Sequence, residues 1–172
     1  MRLFVALLIF TLAGCAQPSR VVQSDVALTS SSPPWQLKTY TRSGSVDALL
    51  RPAAQSSTQW EFRASGSQSA PLLTLVISDM NCDTGFEVRL SYQFAPGDTR
   101  FQKVHIDESI AQPLDIALQW NKGVVDIAVN QHRLQATIYR LPSELSLAVA
   151  VGEANLMRME YDPQGGSTHE TP

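Results

Sequence analysis

Oxygen-bearing side chains recur at alternate positions in Asp79-Met80-Asn81-Cys82-Asp83-Thr84-Gly85, as they do in a loop that surrounds a calcium ion. Calcium takes about six to eight oxygens, and an EF-hand loop places glycine directly after the third such residue and glutamate about six positions beyond it. Thr84 and Leu90 hold those two places here. Asp79, Asn81 and Asp83 are therefore better read as turn residues, whose backbones tolerate turn dihedrals, than as metal ligands. His105, His132 and His169 lack the spacing of a ligand set. Gly66-Ser67 lacks the Gly-x-Ser-x-Gly pattern of a strained nucleophile turn, and Cys82 has no identifiable base. These residues lead to no expected catalytic group, metal or cofactor.

Polar side chains suited to binding are more plentiful. Carbohydrate recognition calls for an exposed aromatic ring near hydrogen-bonding side chains on one sheet face. If Leu134, Ala136 and Ile138 point inward, Arg133, Gln135, Thr137 and Tyr139 point outward. Glu87, Arg89, Gln93 and Gln119 fall on the polar sides of other alternating stretches. Arg89, Gln93, Gln119 and Tyr139 are thus the expected ligand contacts on a concave face, although an ordinary solvated sheet has the same pattern.

The elements that must position them are strands. Phe86, Val88, Leu90, Tyr92 and Phe94 alternate with Glu87, Arg89, Ser91 and Gln93, the period of a strand with one buried side. Leu114, Ile116, Leu118 and Trp120 lead through Asn121-Lys122-Gly123 into Val125, Ile127 and Val129, which predicts a hairpin. Further alternation covers Leu134 to Ile138 and Leu145 to Val151, with candidate strands at 60–63, 72–77 and 101–107. About ten short strands without helical spacing predict an all-β antiparallel β-sandwich or barrel.

The stretch Leu114 to Tyr161 resembles the end of a concanavalin A-like jelly roll of the laminin G or legume-lectin type. The likeness lies in a strand ending in Trp120, the Asn121-Lys122-Gly123 turn, the Val124 to Asn130 strand and Pro142-Ser143-Glu144. A strand ending in Gly152 and a closing strand from Leu156 to Tyr161 complete it. The resemblance implies a jelly-roll sandwich and says little of activity, because such sandwiches host lectins, hydrolases and adhesion modules. Glucanases of this fold carry Glu-x-Asp-x-x-Glu on one strand, and the sequence lacks that pattern.

At the N-terminus, Arg2 precedes an apolar run from Leu3 to Phe10 that continues to Gly14, the layout of a signal peptide over residues 1–14. A membrane span needs about 20 apolar residues, and Gln17-Pro18-Ser19-Arg20 arrives too early for one. Leu12-Ala13-Gly14-Cys15 resembles the lipobox of bacterial lipoproteins. That resemblance implies cleavage before Cys15, diacylglycerol on its sulfur and palmitate-type acyl chains in the membrane, each buried methylene contributing about 0.8 kcal/mol. Ala16 rather than aspartate after the cysteine implies sorting to the outer membrane, facing the periplasm.

Residues 15–34, rich in Ser, Thr and Pro, are expected to be a flexible tether, residues 35–162 the sandwich, and 163–172 a disordered tail. With 13 Lys and Arg against 16 Asp and Glu, the net charge of −3 gives no electrostatic footprint for nucleic acid. Lipidation of Cys15 would leave Cys82 without a partner in the chain, either buried as a small apolar side chain or exposed and able to pair with another molecule. The leading expectation is a non-enzymatic envelope lipoprotein whose sandwich binds a glycan, peptidoglycan or an envelope protein. The alternatives are a periplasmic saccharide hydrolase using carboxylates such as Glu61, Glu87 or Asp115, and an accessory subunit of an envelope assembly.

Overall fold

Alternation becomes strand at each stretch where it was read, and three further strands lie ahead of them. The computed structural model describes residues 20–39, 42–64, 70–79, 85–107 and 112–163. Cys15 and the apolar run before it, Gly66-Ser67, Asn81, Cys82, Asp83 and His169 lie outside the described residues. The strands are β1 (Arg20–Thr29), β2 (Trp35–Lys38), β3 (Ser43–Pro52), β4 (Ser57–Arg63), β5 (Leu73–Ser78) and β6 (Phe86–Ala95). They continue as β7 (Asp98–Ile106), β8 (Leu114–Asn121), β9 (Val124–Val129), β10 (His132–Thr137), β11 (Glu144–Val151) and β12 (Glu153–Asp162). The described residues contain no helix.

Two six-stranded antiparallel sheets stack face to face, the first ordered β1-β12-β3-β8-β9-β10 and the second β2-β11-β4-β5-β6-β7. The buried period-2 side chains meet between them: Leu50, Ile116, Leu118, Trp120 and Leu156 from the first, Trp60, Phe62, Leu75, Leu90 and Leu147 from the second. One residue in two along each strand is thereby committed to the core, and the other is presented on an outer face.

The stretch expected to be a tether contains a strand. Residues 20–29 form β1, paired antiparallel with β12 from Arg20 against Tyr161 to Thr29 against Glu153. Pairing supplies the backbone of this Ser- and Thr-containing stretch with partners, and Leu28 is buried in the core.

The hairpin between β8 and β9 turns at Lys122 and Gly123, with φ of 49° and 91°. Two consecutive left-handed residues are what a tight antiparallel turn needs to match the strand twist. Trp120, just before it, lies edge-on to Phe62 at 5.5 Å and stacks on Tyr161 at 6.2 Å. Gly44, opposite Trp120 in the β3–β8 pair, has no side chain because the indole occupies that space. A Cβ there would lie 2.3 Å from Trp120 Cζ2.

Candidate functional site

The outer face of the second sheet follows from its register. Ser146 on β11 opposes Glu61 on β4, Glu61 opposes Thr74 on β5, Thr74 opposes Ser91 on β6, and Ser91 opposes Phe101 on β7. A parallel row runs from Gln59 through Val76 and Arg89 to Lys103. Neighbouring strands lie about 4.8 Å apart, so these rows place side chains from five strands side by side.

The part of these rows on β4 to β7 borders a cavity of about 620 Å3, lined by Ser57, Gln59, Thr74, Val76, Arg89, Ser91, Phe101 and Lys103 among others. Ligand sites commonly measure about 300–1,000 Å3. Phe101 projects from the edge strand and is 76% exposed. A ring kept in water instead of the core offers a flat apolar surface for a ligand. A second cavity of about 290 Å3 adjoins it over β2, β11 and β4 and shares Gln59 and Ala150 with the first. Together they form a groove across the sheet.

Charge is arranged along that groove. Arg89 and Lys103 directly oppose each other and both engage Glu87, Arg89 through Nε at 3.1 Å. The hydrogen bond from Lys103 holds the Glu87 carboxyl below its usual range, against a smaller upward push from partial burial, and the charges of Lys103, Arg89 and His105 add to the lowering. In the adjoining cavity, Arg63 grips one oxygen of Glu61 with Nε at 2.9 Å and Nη2 at 2.7 Å, and Lys38 pairs with Glu144.

Of the ligand contacts expected from sequence, Arg89 lines the cavity. Gln93 is on the same strand, but its amide donates to the Pro71 carbonyl at 2.9 Å and so pins the segment entering β5. Tyr139 follows β10 and donates its backbone N–H to the Gln93 carbonyl at 3.2 Å, which puts it near that end of β6. Gln119 does not join them. It is on β8 of the first sheet, exposed on the outer face on the far side of the core from Arg89. Alternation assigns a residue to the polar side of its strand but not to a sheet, which is why one surface was expected.

Phe101, Lys103, Gln59 and Thr74 are the residues that sequence reasoning missed. The 101–107 alternation was visible, but only the pairing of β7 with β6 puts Phe101 and Lys103 beside Ser91 and Arg89.

The fold also separates the carboxylates considered for hydrolysis. Asp115 is on the first sheet. Glu61 and Glu87 share a face, two strands and four residues apart in register. That offset is about 10 Å across the sheet and about 13 Å along it, beyond the roughly 5–9.5 Å of a glycosidase pair.

Asp79 accepts a hydrogen bond from the Gln55 N–H at 3.1 Å, and its own N–H donates to the Ser56 carbonyl at 3.0 Å. It holds the β3–β4 turn, where Gln55 has a φ of 56°. No group of three or more His, Cys, Asp or Glu side chains among the described residues is arranged to hold a metal ion.

No protein-family model matches the sequence, and none of the curated proteins matches it. Solved structures do. An alginate lyase from Pseudomonas aeruginosa is similar with a TM-score of 0.56 and 17% identity, covering 77% of this chain and 75% of that one. A Bacillus licheniformis β-glucanase matches with a TM-score of 0.57 and 16% identity over 80% of this chain and 77% of its own. A galectin from Caenorhabditis elegans matches with a TM-score of 0.54 and 10% identity over 79% and 95%. The chain has the jelly-roll β-sandwich fold. Lectins and glycan-active enzymes share this fold, which does not select between them.

Proposed function

We propose that the outer face of the second sheet is a saccharide-binding groove. The observation that carries this reading is the exposed ring of Phe101 beside Arg89, Lys103, Ser91 and Thr74 around one cavity of about 620 Å3. A sugar ring has an apolar C–H face and a hydroxyl edge, so it suits a platform of this kind, with aromatic contact on one side and hydrogen-bonding groups around it. The likeness to a galectin and to enzymes named for alginate and glucan makes a glycan a reasonable occupant. Calorimetric titration with a panel of oligosaccharides tests it. Saturable binding that is weakened in Phe101→Ala is the expected result, and no binding to any member of the panel contradicts it.

The reading includes an address. Lipid on Cys15 would hold the protein at the outer membrane, facing the periplasm, and present the groove to envelope glycans such as peptidoglycan. Fractionation of cells expressing Cys15→Ala tests this, with release from membranes expected and continued membrane association contradicting it.

One observation favours a second reading, cleavage of the bound saccharide. Glu61 and Glu144 line the smaller cavity and are diagonal neighbours, since Glu144 opposes Arg63 and Glu61 opposes Ser146. The backbones of diagonal residues on paired strands are about 7–8 Å apart, which lets two glutamate carboxyls reach the spacing of an inverting glycosidase pair. Both carboxylates are already paired with cations, Arg63 and Lys38. Release of reducing ends from a bound oligosaccharide, abolished in both Glu61→Gln and Glu144→Gln, would establish cleavage.

A further inference from the structure

We infer that the saccharide taken by this groove is anionic, carrying a carboxylate or sulfate, and that Arg89 and Lys103 receive that charge. The inference rests on the saccharide reading above and adds the ligand's class.

The chain is acidic overall, with a net charge of −3, yet the lining of the larger cavity includes Arg89 and Lys103 and no carboxylate. Their shared partner, Glu87, is more withdrawn. Its side chain is 16% exposed, against 56% for Arg89 and 63% for Lys103. Two cations on one carboxylate leave a positive charge uncompensated, and the parts of this cluster most open to water are the cationic ones. The neighbouring carboxylates stand apart from it: Asp98 pairs with Arg100, and Asp107, 3.0 Å from His105 Nε2, is four residues along the chain from Lys103.

Glu87 also fixes the cations in place. An unpartnered lysine or arginine loses rotamer freedom when it meets a ligand, whereas a side chain already tied to Glu87 loses less. The nearest approach of the carboxylate to Arg89 is at Nε, on the inner side of the guanidinium, and the side chain is 56% exposed. A guanidinium edge suits the paired oxygens of a carboxylate or sulfate, with the lysine ammonium adding a point charge.

The platform lies at the right distance. Phe101 and Lys103 are two residues apart on β7 and point to the same side, about 7 Å apart along the strand. A sugar stacked on Phe101 would therefore direct an acidic substituent toward Lys103 and Arg89. Coulombic attraction at an exposed site is screened by salt, so the affinity should fall as ionic strength rises.

The test is calorimetric titration of the full-length protein with a short oligouronate, with the same oligosaccharide after reduction of its carboxyl groups to alcohols, and with a sulfated oligosaccharide of similar length. An acidic ligand is expected to bind at least about tenfold more tightly than the reduced one, a factor that one or two charge-assisted hydrogen bonds supply. Comparison of the uronate with the sulfated sugar identifies which anion is preferred. The Arg89→Gln/Lys103→Gln double variant, checked for folding by circular dichroism, is expected to bind the acidic and reduced ligands equally. Equal affinity for both in the unaltered protein, or a preference retained by the double variant, overturns the charge assignment and leaves the saccharide groove standing. Binding of none of the three overturns both.

Discussion

Lys103 stands opposite Arg89 in the β6–β7 ladder, and both side chains hold the carboxylate of Glu87. This clasp joins the edge strand to its neighbour on the outer face and places two cations beside the exposed ring of Phe101. The consequences for titration, binding and stability can be separated.

Glu87 should titrate below an ordinary glutamate because Lys103 stabilises its charged form. A lowered folded-state pKa means that the clasp's contribution to stability is fully present above the ordinary glutamate range. It is lost as pH falls through the lowered folded value. Carboxyl-carbon NMR titration is the check. A midpoint below that of a free glutamate is expected, moving upward in Lys103→Gln, and an unchanged midpoint in that variant contradicts the assignment.

Phe101→Ala should weaken saccharide binding by about tenfold or more, the usual effect of truncating a central aromatic contact. Because the ring is largely in water, stability should change by no more than about 0.5 kcal/mol. Gln119→Ala, on the far side of the core, should leave both binding and stability unaltered. Equal loss of binding in the two variants would indicate that the first sheet also meets the ligand.

Gly44→Ala should destabilise the fold by about 1–3 kcal/mol, since a methyl group must displace the Trp120 indole from between Phe62 and Tyr161. Urea denaturation followed by tryptophan fluorescence measures this, and an unshifted midpoint would show that the indole has room to yield.

Removal of residues 1–34 should expose the β12 edge now covered by β1. Unpaired edges favour association, so the truncated protein should be less stable and prone to aggregate. Full stability after truncation would mean that β1 is dispensable.

Core placement was readable where a strand kept a strict two-residue period. Phe86, Val88 and Leu90 are buried, and so are Ile116, Leu118, Trp120, Val125 and Ile127 across a turn with the expected Gly123. β1 was hidden for a physical reason. It pairs on one side only, its register shifts between Val21 and Gln23, and Asp25 has a φ of 57°, so the alternation is broken. The groove was less legible still. Arg89 stood out as a polar-face residue, but Phe101, Thr74 and Gln59 become its neighbours only through pairings among four strands, and such long-range register is not written in any local stretch. The grouping of Gln119 with Arg89 failed on the same point.

The most direct test of the saccharide groove is backbone-amide NMR of the full-length protein titrated with an oligosaccharide that it binds. Shift changes concentrated on β4, β5, β6 and β7, with those of Ser91, Phe101 and Lys103 among the largest, are the expected result. Changes concentrated on the first sheet, around Gln119 and Asp126, would contradict it.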